Sequence, residues 1–346
     1  MPARCPSSTL LILAAALALA LAQAGCGGSG PKVVVYSALD REFAKPVLDD
    51  YRKRAGVAVE ALYDAESTKT VGLTQRIIAE AGRDPQCDLF WNNEILQTLR
   101  LKRKGLLRPF RPSHAADFPE EYRAKDGTWY GFAARARVLL VHTDLVAEAD
   151  RPKGLKDLVD PRWKGKIGLA KPLFGTTATH AACLFEAWGD EKAKAFFAAL
   201  KANGAQVLSG NKGVAVGVGK GDLAFGLTDT DDAMEEVDAG HHVLIVYPDR
   251  EPGGLGTLFI PNTLAIPGGA PRPKEAEALA DHLLSPEVEA ALASGPGAQI
   301  PLGSRTSVKA KVETPKTVPA MKVDFEAAAA RWDEVSAYLT REFAGR

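Results

Sequence analysis

Residues 32 to 105 switch repeatedly between two hydrophobic periods, and that alternation leaves few architectures open. "KVVVYSA" (32 to 38) is an unbroken apolar run of strand length. "REFAKPVLDDYRKRAG" (41 to 56) then places Phe43, Val47, Leu48 and Tyr51 at helical spacing and stops at Gly56, ahead of a second strand, "VAVEALY" (57 to 63). A strand, a helix and a strand in about 30 residues form a βαβ unit, the building block of parallel sheets. The pattern continues with a helix through Gln75, Ile77 and Ile78, a buried strand "CDLFW" (87 to 91) and a helix "NEILQTLRLKRKG" (93 to 105).

The texture becomes turn-rich from residue 106 to about 135, and "RVLLVHT" (137 to 143) is then a strand of unmixed apolar character. We place the first crossing between two lobes at 133 to 136. Residues 152 to 260 alternate again, with strands at "GKIGLA", "DLAFGLT" and "HHVLIVYP" and helices at "TATHAACLFEAWG", "EKAKAFFAALKANG" and "VAVGVGKG". "GTLFIPNTLAIP" (256 to 267) reads as a pair of strands leading back. "PKEAEALADHLLSPEVEAALAS" (273 to 294) is helical with a break at Ser285-Pro286, and the last helix carries an apolar stripe at Phe325, Trp332, Val335 and Leu339. A chain of 346 residues exceeds what one core usually fills, so two domains are expected. Their bounds are 31–134 with 261–310 for lobe 1, and 135–260 with 311–346 for lobe 2.

Residues 1–30 stand apart. "STLLILAAALALALAQAGCGGSG" is an apolar run ending in small residues and reads as an export signal excluded from the fold. A membrane anchor is the other reading, but the run falls short of the roughly 20 residues of a span. "QAGC" resembles a bacterial lipobox, with Gln23 where an aliphatic residue is usual, so acylation at Cys26 and a lipid-anchored protein of the periplasm or cell envelope are expected. Cys87 and Cys183 lie in apolar contexts and read as two buried free thiols. The 43 basic residues balance 43 acidic ones without a long basic run, which argues against nucleic acid as a partner. There is no Gly-x-Ser-x-Gly elbow, no His-Glu-x-x-His and no Walker loop, and "VGVGKGD" precedes a strand instead of following one. No enzyme class is indicated. An α/β chain of this kind binds its ligand at strand carboxyl ends, in the cleft between lobes.

Several segments resemble the ferric-ion-binding periplasmic proteins, a branch of the bacterial extracellular solute-binding proteins that feed ABC importers. They are "VVVYSA", "CDLFWNNE", "ARARVLLVHTD", "LKDLVDPRWKGKIGLAKP", "GNKGVAVGVGKGDLAFGL" and "HLLSPEVEAALA", in family order across residues 32 to 310. The resemblance implies a type II periplasmic-binding-protein fold, two α/β lobes with a ligand cleft and two crossing strands. It also implies a monomer that captures a solute and passes it to an ABC transporter permease, with no chemistry of its own. Ferric members carry a histidine after the first strand, a carboxylate after the third, and two tyrosines after the strand matching "DLAFGL". Here the first strand exits through Ser37 with Asp40 nearby, the carboxylate is Glu94, and the tyrosines fall on Asp231 and Asp232.

The run "TDTDDAMEE" holds five acids in eight positions, 229 to 236. Thr228, Asp229 or Thr230 is a natural N-cap, and Asp231 and Asp232 suit a helix's first turn. Three acids exceed what capping needs, and a bound cation would relieve their repulsion, so Glu94, Asp231 and Asp232 are candidate metal ligands with Asp229 beside them. Trp91 and Asn93 join Glu94 as a facing wall, or else belong to the core and a helix cap. Gly175, Thr176 and Thr177 at a helix start, with Arg137 and Asn211, make a candidate subsite for an anion accompanying the metal; the plainer reading makes Thr176 a cap and pairs Arg137 with a surface acid. Two solutes stay open: a metal ion, iron first, with its anion, or an organic molecule such as an aminophosphonate, a phosphate ester or a polyamine.

Overall fold

The computed structural model describes residues 30–64 and 70–344. The export segment and Cys26 lie outside the described residues. The chain begins with β1 (Lys32–Ser37), α1 (Arg41–Ala55), β2 (Ala58–Tyr63), α2 (Val71–Glu80), β3 (Leu89–Asn92) and α3 (Leu96–Arg103). α1 buries Phe43, Val47, Leu48 and Tyr51, the stripe that its spacing predicts, and ends on left-handed Gly56. Two short strands and one long one follow: β4 (Leu107–Arg108), β5 (Trp129–His142) and β6 (Ile167–Ala170). The second half runs α4 (Gly175–Trp188), α5 (Asp190–Ala202), β7 (Gln206–Leu208), α6 (Asn211–Gly219), β8 (Phe225–Asp229), α7 (Thr230–Asp238), β9 (Val243–Val246) and β10 (Phe259–Pro267). Four helices complete it: α8 (Pro273–Leu283), α9 (Pro286–Ser294), α10 (Phe325–Ala330) and α11 (Trp332–Leu339).

Strand order repeats. The first lobe runs β2-β1-β3-β10-β5, with β1 parallel to both its neighbours and β10 antiparallel to β3 and β5. The second lobe runs β7-β6-β8-β5-β9, with β6 parallel to both neighbours and β5 antiparallel to β8. β5 belongs to both: its residues 129–136 pair with β10, and its residues 137–142 pair with β8 and β9. Both long crossing strands are buried almost throughout, so they show no apolar–polar alternation. The changeover carries a register shift between Ile260 and Asn262, opposite Ala133 at φ 42°. The Asn262 amide spans this irregularity by donating to the Ala133 carbonyl.

Three expectations need correcting. The strand expected at 137 already begins at Trp129, because "WYGFAARA" reads as loop yet pairs along β10. The pair of strands expected over 256 to 267 is the single β10. The break at Ser285-Pro286 is present, with the Ser285 hydroxyl accepting from the Val288 amide. The final helix is two, and Trp332, Val335 and Leu339 bury against α4 and α5. Lys102 of α3 donates to Glu326 of the same C-terminal segment at 2.5 Å and Arg100 to Asp333 at 3.1 Å, so that segment packs on α3 of one lobe as well as on α4 of the other. Cys87 and Cys183 are free and buried. Among the described residues no helix is long and apolar enough to cross a membrane.

Candidate functional site

Parallel strands point their carboxyl ends into one cleft, and the turns that follow them line it. Asp40 comes from the turn after β1, Asn93 from that after β3, Lys171 and Phe174 from that after β6 with Gly175 and Thr176 at the start of α4, and Ser209 to Asn211 from the end of β7 into α6. Asp229, Asp231 and Asp232 come from the junction of β8 and α7, and Arg135 from β5. The lobes leave a cavity of only about 20 Å³. A void needs about 10–15 Å³ to hold one ordered water, so this space suits an ion or one or two waters.

One oxygen from each of Asp229, Asp231 and Asp232 lies within 4.8 Å of the others. Asp229 and Asp231 are buried and Asp232 is half-buried. Such a hard-oxygen set suits Fe(III) and divalent cations alike. Bringing carboxylates together underground needs countercharge, and β5 supplies it. Arg137 is 0% exposed and its Nη1 sits 2.6 Å from Asp229 Oδ1. Two residues earlier, Arg135 Nε lies 3.3 Å from Asp231 Oδ2. Burial disfavours the Arg135 charge, but Asp231, then Asp229, Asp40 and Asp232, outweigh it and hold its pKa above the usual arginine range.

Asp229 stands at the N-cap position of α7, yet its side chain makes no cap bond. Instead its Oδ2 accepts from Thr176 Oγ1 at 2.5 Å and from Asn211 Nδ2 at 2.9 Å, while Arg137 holds Oδ1. Thr177 Oγ1 donates to Asn211 Oδ1 at 2.9 Å and accepts from Arg137 Nη2 at 3.2 Å. The structure therefore gathers Arg137, Thr176, Thr177 and Asn211, as the sequence predicts, but centres them on a carboxylate of the chain itself. Arg137 pairs with a buried acid, not the surface one of the plainer reading. Gly175 starts α4 at φ 55°, a conformation that disfavours any side chain.

Glu94 stands apart from this cluster. Its carboxylate is 0% exposed and accepts from Asn92 Nδ2 and the Gln97 amide at 2.9 Å, from Thr179 Oγ1 at 2.6 Å and from the Leu96 amide. Burial pushes its pKa up, and these bonds pull against that shift. It caps α3 and touches α4, and it does not join the three aspartates; with four donors engaged it is poorly placed as the expected metal ligand. Trp91 packs on Phe132 at 5.6 Å between ring centres and is a core residue, not a cleft wall. Ser37 is likewise buried, its hydroxyl donating to the Leu39 carbonyl at 3.2 Å. Asn93 does line the cleft. Glu236, the last of the five acids, is buried and bonds His241 at 2.6 Å. Sequence reasoning under-weighted Asp40, Arg135 and Lys171: a lone acid after a first strand and single cations carry no motif.

The fold and this interlobe cleft define a solute-binding protein of the two-lobed type II class. The model of the bacterial extracellular solute-binding proteins matches residues 85–329, and the chain belongs to that family. It is 28% identical over 292 residues to iron uptake protein A2 of Synechocystis sp., covering 78% of this chain and 82% of that one. Iron-bound HitA from Pseudomonas aeruginosa superposes with a TM-score of 0.79 at 22% identity, over 89% of this chain and 98% of the other. AfuA from Actinobacillus pleuropneumoniae, with exogenous fructose-6-phosphate bound, gives 0.81 at 19% identity, over 91% and 99%.

Proposed function

We propose that this protein captures a metal ion, of the iron type, outside the cytoplasm and delivers it to the permease of an ABC importer. Asp231 and Asp232 are the proposed ligands, from the first turn of α7 with the helix dipole behind them. Asp229 adjoins them and Asp40 faces them from the other lobe. The observation that carries the reading is a cavity of about 20 Å³ bordered by three carboxylates whose oxygens lie within 4.8 Å. Names among relatives support it, iron uptake protein A2 and iron-bound HitA in particular. The lobes of this reading are 31–134 with 261–310 and 135–260 with 311–346, closing on the metal by differential contacts with the second lobe. An acylated Cys26 would tether a monomer to the membrane.

The neighbour that holds fructose-6-phosphate keeps an organic solute in view. Two features that such a solute could use are committed elsewhere: Trp91 to the core and the oxyanion cradle to Asp229. The test is metal analysis of protein purified without chelator. One equivalent of metal is expected, falling at least tenfold in Asp232→Ala and in Asp231→Asn, which keeps an acceptor beside the buried Arg135, with circular dichroism showing that both variants are folded. A metal-free protein whose melting temperature rises with aminophosphonates or polyamines would end the metal reading.

A further inference from the structure

We infer that Asp229 is a built-in anion: its carboxylate fills the cradle of Arg137, Thr176 and Asn211, so the cleft takes its metal without an exogenous oxyanion and turns away phosphorylated and carboxylated solutes. The inference deepens the metal reading and rests on it for the nature of the solute. Its core, the occupancy of the cradle, stands on the geometry alone.

Three donors from three separate elements converge on this one carboxylate: Arg137 Nη1 from β5 at 2.6 Å, Thr176 Oγ1 from α4 at 2.5 Å and Asn211 Nδ2 from α6 at 2.9 Å. A guanidinium, a hydroxyl and an amide fixed around a point, two of them in the first turns of helices, are what an oxyanion site consists of. Arg137 is 0% exposed and Asp229 2%, so water does not screen the pair. A buried arginine left without a counter-ion is strongly destabilising. A site that borrowed its anion from solution would face that penalty whenever the cleft stood empty, and Asp229 removes it in both states.

Displacement is disfavoured too. An incoming phosphate would have to evict Asp229 from its three donors and press it toward Asp231 and Asp232, whose oxygens already lie within 4.8 Å. The side chain also forgoes the cap bond its position on α7 offers, which places its role at Arg137 and not at the helix end.

The test uses the mature protein stripped of metal and titrated with phosphate, citrate or formate while melting temperature is followed. Wild type should give no saturable rise with any of them. Asp229→Ala, which vacates the cradle, should gain a saturable rise with formate and phosphate, of roughly 2 °C or more. In parallel, Fe(II) under anaerobic conditions and Mn(II) should bind wild type within about twofold equally with and without phosphate. Asp229→Ala should bind them at least tenfold more tightly once formate or phosphate is supplied. A saturable anion-induced rise in wild type overturns the inference, even if the variant fails to fold. So does a folded Asp229→Ala that ignores every anion. Wild type that binds no metal in either buffer would instead sink the metal reading, with the metal-free titration still deciding the fate of the built-in anion.

Discussion

The two lobes repeat one strand order, and each places a buried carboxylate at or just past the end of the third strand of its parallel set, yet they neutralise it by opposite means. In the first lobe Glu94 follows β3 and meets only dipoles: two backbone amides, an asparagine amide and a threonine hydroxyl. In the second lobe Asp229 ends β8 and meets a full positive charge on Arg137. The first arrangement leaves the carboxyl with a raised pKa, since fixed dipoles only partly replace water. The second lobe could gather three aspartates because β5 threads two arginines behind them. Recruiting charge, and not merely capping a helix, is what lets the second lobe's turn carry the three aspartates proposed to hold the cation.

Substituting each neutralising group should expose the difference. Arg137→Met strands Asp229 in a dry site and should cost about 3–5 kcal/mol by urea denaturation. Glu94→Gln, which swaps an acceptor for an amide facing donors, should cost less, about 1–3 kcal/mol. Equal losses would mean that Arg137 contributes no more than a dipole does.

Acidity offers a finer contrast. Burial, helped by the Arg137 charge, holds His180 on α4 well below its usual 6.5. A base depressed in this way contributes stability above the unfolded value of about 6.5 and loses it as pH falls, at up to about 1.4 kcal/mol per pH unit. Glu94, raised, does the reverse: its contribution is complete below an unfolded value near 4.5 and drains away as pH climbs through the raised folded value. Stability against pH should therefore lose its acid slope below 6.5 in His180→Leu, while Glu94→Gln removes the slope above 4.5. An unchanged profile in both variants would refute the assignment.

The smallest effect belongs to the cleft rim. Lys212 of α6 reaches Glu42 on the opposite lobe at 3.3 Å and Glu235 at 3.1 Å, with half its side chain in solvent. Such a pair contributes about 0–1 kcal/mol, so Lys212→Ala should enlarge the open population by no more than about fivefold, read from small-angle scattering of the metal-free protein.

Much of the frame was legible because periodicity is local: α1's buried stripe, the strand–helix alternation and the Ser285 break need no distant partner. β5 was half missed for the opposite reason. Its start, with Gly131 and three alanines among three aromatics, follows a turn-rich stretch and shows no alternation, and its pairing with β10 joins residues more than a hundred positions apart. The acidic turn announced itself through its density of charge. What Asp229 does there depends on Arg137, 92 residues away, and the two share no motif. Trp91 misled for a chemical reason, since an aromatic beside amides and an acid suits either a cleft or a core, and only burial separates them.

Both arginines lie on the strand that joins the lobes, which ties the proposed site to the shape of that strand. Arg135 and Arg137 lie two and four residues beyond Ala133, where the strand departs from regular geometry opposite the Ile260–Asn262 irregularity. An opening of the lobes that twisted this stretch would swing both cations relative to the aspartates they steady. A transporter gripping the two lobes would therefore need no chemical competitor to unload the cargo: leverage alone would spoil the balance of charge around it.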